Sequence, residues 1–372
     1  MIRPENVIRE WVSNEVAGLR RAATMVGEVT GDAATRRRFE RMIADTAEQL
    51  SAISPALDLD TNWATLAEAR EKIDQLKTEA LCYIQGMLYR THRLDQGSGQ
   101  AVDALIGYLT SAAQVPNGLV TGIAVGPESF TSTINLIRLP FPESSVWELP
   151  TVAHEAGHYV TRVLTRPPHD DRHPLMELIG DRKADASEPH LHEFVADAFA
   201  TYTLGPSYPL TAMVLRIDPT EVNRPSPTHP AWRDRVLTMA QVLRELTLLL
   251  RTRTTEARSA GVYAALAEVV VRQWKRLTGD TDPEVEIAYV LAPHLAACLI
   301  DHAPHARYHP GPHLAALEGR LAGDDWTVPE SITPAHVLHA AWMWRLRHPD
   351  DLKGREAVHR RARALLTQGG TP

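Results

Sequence analysis

Only two cysteines, Cys82 and Cys298, occur in 372 residues, so no disulfide framework holds this chain together. They stand far apart in apolar helical contexts and read as reduced core residues. Long apolar runs are missing too. Even Ile287–Ile300 is interrupted by Pro293 and His294 and falls short of the roughly 18 residues that a membrane span requires. No apolar stretch of signal-peptide length follows Met1-Ile2-Arg3-Pro4-Glu5-Asn6. These absences lead to the expectation of a soluble, cytoplasmic protein. An excess of basic charge is also lacking. With 39 Lys and Arg against 46 Asp and Glu, the formal net charge is -7, and no basic stripe is present to suit a general nucleic-acid binder. Aromatic residues make up 6%, and Trp326, Trp342 and Trp344 read as packing residues rather than as a platform for stacked bases.

What is present suits a packed fold. The apolar fraction of 44% is ordinary for a globular protein, and 372 residues allow two or three domains. Residues 1–113 read as a helical bundle. Val7, Ile8, Trp11, Val12, Val16 and Leu19 form one stripe; Leu66, Ile73, Leu76, Ala80, Ile84 and Met87 form another, on a helix expected from Trp63 to about Arg90. Ser54-Pro55 and Gly97-Ser98-Gly99 are turn signals. Between Pro116 and Pro140 the period shortens, and Gly118–Gly126 and Thr131–Leu139 read as strands. The second of these stands just before the next helix, where its edge could hold an extended peptide by strand addition. Beyond it, a polar connection is expected at 169–188 with one helical turn near Leu175–Ile179, and a variable loop at 207–227. Further helices are expected at Glu256–Leu277, Pro283–Ile300, His313–Leu321, Pro334–Arg347 and Leu352–Leu366. The expected fold is therefore mainly α with a small β-sheet (α+β), divided into 1–113, 114–252 and 253–372.

The chemistry concentrates in Thr151-Val152-Ala153-His154-Glu155-Ala156-Gly157-His158-Tyr159-Val160. Histidines four apart on a helix share a face, so His154 and His158 can reach one zinc ion while Glu155 stands beside it as a general base. A catalytic zinc takes a third protein ligand and keeps one position open. The second helical stretch, His190–Tyr202, offers Glu193 for that role. Asp197, four residues on, faces the same way and can accept the other ring N–H of a ligating histidine. His190 and His192 compete with Glu193, but neighbouring helical positions point about 100° apart, so His192 and Glu193 cannot both face the metal. The run His302, His305, His309 and His313 is broken by prolines and reads as an irregular loop.

His154-Glu155-Ala156-Gly157-His158 with Glu193-Phe194-Val195-Ala196-Asp197 resembles the gluzincin metallopeptidases, and most closely the branch that includes the CAAX prenyl endopeptidases and the HtpX heat-shock proteases. Thr228-His229-Pro230 followed by Arg235-Val236 is similar to a further element of that branch. The resemblance covers 118–236, within flanking helical regions that match nothing named. It implies a zincin-like core with zinc on His154, His158 and Glu193, Glu155 as base, and Asp197 behind the ligands. It also implies that His229 steadies the oxyanion and that Arg235 supports the site. The best-known members are embedded in membranes, a departure from this chain. A weaker similarity to ImmA-type peptidases rests on Phe199-Ala200 in the second helix. The expected activity is peptide-bond hydrolysis of a peptide or protein substrate, with one zinc per chain. An ImmA-like cut in one regulatory partner is the other enzymatic reading. A catalytically silent scaffold, tied together by zinc, is the non-enzymatic one.

Overall fold

The computed structural model describes residues 4–29, 33–51, 59–92, 94, 97–124, 129–131, 135–140, 145–164, 187–253, 257–280, 285–323 and 332–368. It is mainly helical with one three-stranded sheet. The elements in order are α1 (Pro4–Val29), α2 (Ala33–Ser51), α3 (Leu59–Thr91), α4 (Ser98–Ala112), β1 (Val120–Ala124), β2 (Ser129–Thr131), β3 (Leu136–Pro140) and α5 (Pro150–Val163). Then follow α6 (Glu188–Leu204), α7 (Ser207–Leu215), α8 (Trp232–Arg253), α9 (Ala257–Thr278), α10 (Glu286–His302), α11 (Leu314–Ala322), α12 (Pro334–Arg347) and α13 (Leu352–Gln368). No helix among the described residues is long and apolar enough to cross a membrane. The helical turn expected at Leu175–Ile179 lies outside the described residues, as does Trp326.

The contacts form two compact units, Met1–Gln96 with Gly118–Glu143, and Gly97–Asn117 with Ser144–Pro372. This grouping differs from the three-part division at 113 and 252. The sheet groups with the N-terminal helices because α3 packs on β1. Helix α4 groups with the later helices because it packs on α5 and α13. No boundary falls near 252, since α8 is covered by both α9 and α10.

In the first unit, α1 lies against α2 and α3. Leu19, Ala23, Ile43, Ile73 and Leu76 are buried together, with Val16 packed against them. Val26, Phe39, Ala80, Cys82, Tyr83, Ile84 and Leu136 form a second buried group, with Met87 and Val120 at its edge. The α3 stripe read from sequence thus packs on α1 and α2 at Ile73 and Leu76 and on the sheet at Ala80, Ile84 and Met87. The strand order is β1-β3-β2, with β1 parallel and β2 antiparallel to β3. The expected single strand Thr131–Leu139 is two strands, separated by a turn in which Asn135 takes a left-handed conformation with φ 54°, one that asparagine tolerates better than most residues. Leu136 and Ile137 point to opposite faces, and both are fully buried. This is the pattern of a central strand, not of an alternating edge strand. With β1 along one side and β2 along Leu136–Arg138 on the other, β3 is the inner strand of the sheet and not the expected edge.

In the second unit, α5 lies along α6, and α8 packs against α6, α9 and α10. From Glu193 to Leu204 every residue of α6 is buried, so it has no solvent face and runs through the core. Its own Phe194 and Phe199, and Val152, Val160, Val236, Leu243, Leu295 and Trp342 on the helices packed against it, are nearly inaccessible. Proline in the first turn starts both α5 and α6, where a missing N–H costs nothing. At the end of α6 the chain turns at Gly205, φ 61°, where a Cβ would lie 2.6 Å from the Tyr308 ring. That turn launches α7. The expected loop at 207–227 therefore begins as a buried helix, and only the stretch after Leu215 is irregular. The histidine-rich stretch is likewise less loose than expected. Its start completes α10, and Tyr308 N–H donates to the Tyr202 carbonyl at 2.7 Å while the Tyr202 hydroxyl donates to the Ala303 carbonyl at 3.1 Å. Cys82 and Cys298 are both buried, and neither forms a disulfide.

Candidate metal centre

His154 and His158 sit one turn apart on α5, and Glu193 approaches them from α6. His154 Nε2 is 3.4 Å from Glu193 Oε2, and His158 Nε2 is 3.5 Å from Glu193 Oε1. One ligand atom from each of the three lies within 4.8 Å of the others, the one such group of a kind that could hold a metal ion among the described residues. Zinc–ligand bonds of about 2.0–2.1 Å in a tetrahedron place ligand atoms about 3.3–3.4 Å apart. The two nitrogen–oxygen separations, one to each oxygen of Glu193, lie near that edge. Glu193 Oε2 is buried and has no hydrogen bond of good geometry, although the Arg235 guanidinium lies 3.2 Å away. Two imidazoles and a carboxylate are a donor set suited to zinc, and the residues fit one ion.

Charge points the same way. Burial alone would lower the pKa of His154, but its contacts with Asp197 and Glu193 outweigh this and raise it to about 10. His158 is lowered to about 3 by burial and by the charge on His154. Burial works to raise Glu193, yet His154, Arg235 and His158 hold it at about 2. The cluster is therefore built to keep a positive charge between two carboxylates and to keep Glu193 ionised.

Asp197 lies behind the ligands and is completely buried. Its Oδ1 is 2.9 Å from His154 Nδ1, as the spacing on α6 led one to expect, although the approach is close rather than linear. Arg235, from the first turn of α8, grips the same carboxylate with both arms: Nε donates to Oδ2 at 2.7 Å and a terminal nitrogen to Oδ1 at 2.8 Å. The guanidinium also reaches Glu193 Oε2 at 3.2 Å and lies 4.3 Å above the Trp232 ring. Such a pair keeps Asp197 ionised despite its burial.

His229 stands in the irregular segment before α8, with about half of its side chain exposed. Its Nε2 is 3.7 Å from Glu193 Oε1, and its Nδ1 meets the Thr228 hydroxyl at 2.8 Å. Glu155 is buried between the two ligand histidines in sequence, at 8% exposure. His190 turns away to the Ser226 carbonyl at 2.8 Å, tying the His229 segment to the start of α6. His192 is half-buried and outside the ligand group. His302 Nδ1 faces the Cys298 carbonyl at 2.8 Å, so the histidine-rich stretch uses its rings to hold backbone.

Sequence reasoning missed one residue. Tyr208, on α7, donates its hydroxyl to Asp197 Oδ1 at 2.6 Å, and its ring stacks on His154 with centroids 5.5 Å apart and planes 9° from parallel. The signal was the nearly unbroken apolar run Tyr208–Leu215, masked by Pro206 and Pro209, which read as loop residues but fall at the start of a helix. No protein-family model, no curated protein and no solved structure matches this chain.

Proposed function

We propose that this chain is a zinc-dependent peptidase of the gluzincin kind, hydrolysing peptide bonds in a peptide or protein substrate. The observation that carries this reading is the spacing of His154 Nε2, His158 Nε2 and the two Glu193 oxygens, with the buried Glu155 following His154 in the chain. His154, His158 and Glu193 would hold the ion. Bound there, zinc supplies Lewis acidity, which lowers the pKa of water from about 15.7 to about 7. Glu155 takes the proton of the attacking water on its carboxylate and passes it to the leaving amine. Asp197 holds the His154 ring through Nδ1, leaving Nε2 for the metal. Arg235 keeps Asp197 and Glu193 ionised and aligned. In the tautomer whose Nδ1 accepts from the Thr228 hydroxyl, His229 carries its proton on Nε2 and can donate it to the developing oxyanion.

The test is Glu155→Gln. Elemental analysis should give about one zinc per chain for wild type and variant alike. Digestion of a mixed peptide library, followed by mass spectrometry, should show cleavage by wild type that the variant loses. Equal zinc with no cleavage by either protein would replace the peptidase reading with the zinc-tied scaffold. A wild-type chain that takes up no zinc would overturn both.

A further inference from the structure

We propose that Tyr208 is a positioning residue for the metal centre, fixing the His154 ring at its face and, through Asp197, at its edge. This rests on the zinc reading of the His154–His158–Glu193 group and goes beyond the ligands to name the device that sets their donor strength. A histidine ligand has two freedoms that must be removed before it binds well: rotation of the ring, and the choice of which nitrogen carries the proton. Asp197 removes the second only if its own carboxylate is held still. Three groups converge on Asp197 Oδ1: Tyr208 donates at 2.6 Å, Arg235 donates at 2.8 Å, and His154 Nδ1 lies 2.9 Å away. Arg235 holds the carboxylate in its own plane by gripping both oxygens. The Tyr208 hydroxyl arrives from a different helix and pins Oδ1 against His154. The Tyr208 ring meanwhile lies flat on the imidazole, 9° from parallel, and blocks its rotation. Tyr208 can do both because it is 3% exposed and sits on α7, which packs on α5 and α6 together.

The two actions separate experimentally. Tyr208→Phe keeps the ring and removes the hydroxyl; Tyr208→Leu removes both. Zinc dissociation constants are measured by competition with a chromophoric chelator, and cobalt-loaded protein gives a visible spectrum that reports ligand geometry. Outer partners of metal ligands are typically worth about 10- to 100-fold in affinity. The Phe variant should therefore bind zinc about tenfold more weakly, with a shifted cobalt spectrum. The Leu variant should bind more weakly again. Circular dichroism should match wild type for both. A tightly binding wild type with a Phe variant of equal affinity and superimposable cobalt spectrum overturns this inference and leaves the metal centre standing. A wild type without zinc affinity overturns the two together. If the variants do not fold, the wild type answers by proton NMR. The buried Tyr208 hydroxyl proton should resonate downfield, exchange slowly and shift on zinc loading; an unmoved resonance overturns the proposal.

Discussion

Replacing Gly157 with alanine adds one methyl group between the two ligand-bearing helices. On the present backbone that carbon would lie 3.0 Å from Ala196 Cα, 3.1 Å from the Ala196 carbonyl oxygen and 3.3 Å from Phe199 Cδ1. The two nearest atoms are backbone, so no side-chain rotation relieves them, and α6 must move away from α5. Comfortable carbon–carbon contact begins at about 3.5 Å, which asks for a displacement of about 0.5 Å. Metal sites hold ligand distances to about 0.2 Å, so Glu193 cannot follow α6 outward and still close on both histidines. Alanine gains about 1 kcal/mol over glycine in helix propensity, while overpacking costs about 1–3 kcal/mol. The metal-free variant should thus unfold within about 2 kcal/mol of wild type. Binding zinc re-imposes the strain, and at about 1.4 kcal/mol per factor of ten the affinity should fall by about tenfold to a hundredfold. Chelator competition measures the affinity, and thermal unfolding with and without zinc separates it from stability. Affinity within twofold of wild type would refute the claim that close approach of the helices sets the ligand spacing.

Two other expectations concern the surroundings of the site. His229→Ala should leave zinc content unchanged and lower kcat by about 10²-fold, the usual cost of an oxyanion donor; metal analysis beside steady-state kinetics checks this, and lost zinc would make His229 a ligand instead. Burial, helped by the nearby charges of His336 and Arg347, lowers His339 from 6.5 to about 3. Below pH 6.5 the unfolded chain binds a proton that the folded chain refuses, so stability is full above that value and falls toward acid by up to ~1.4 kcal/mol per pH unit. Urea midpoints from pH 7 to pH 5 should fall less steeply in His339→Gln than in wild type, and equal slopes would contradict it.

Much of the helical plan was legible in the chain. Apolar positions three and four apart located α3, α9 and α13 within a few residues, because those helices keep one wet face and so carry a readable period. The ligand pair on α5 and the carboxylates on α6 were legible for a related reason: a four-residue spacing has one meaning on a helix. The sheet was less so. β3 is covered on both faces, and its lack of alternation hid both its central place and its break from β2 at Asn135. Helix α7 was hidden by prolines whose positions make sense only once the turn at Gly205 is known. Tyr208 followed it out of sight, since a lone tyrosine carries no spacing to betray its partner. Likewise the glycine in His154-Glu155-Ala156-Gly157-His158 read only as an uncharged flank. Its reason is the backbone of Ala196, distant in sequence and close in space.

Neither compact unit is one continuous stretch of chain. The peptide leaves the first unit after Gln96, returns at Gly118 to lay down the strands, and leaves again after Glu143. A deletion that removes α3 would strip Ala80, Tyr83 and Ile84 from Leu136 and uncover a strand with fully buried residues. A cut between α4 and β1 would separate α4 from α5 and α13, the helices it packs on. The unit that carries His154, His158 and Glu193 therefore cannot be isolated by trimming from the front. It can be freed of the strands only by joining Asn117 to Ser144, an internal splice rather than a truncation.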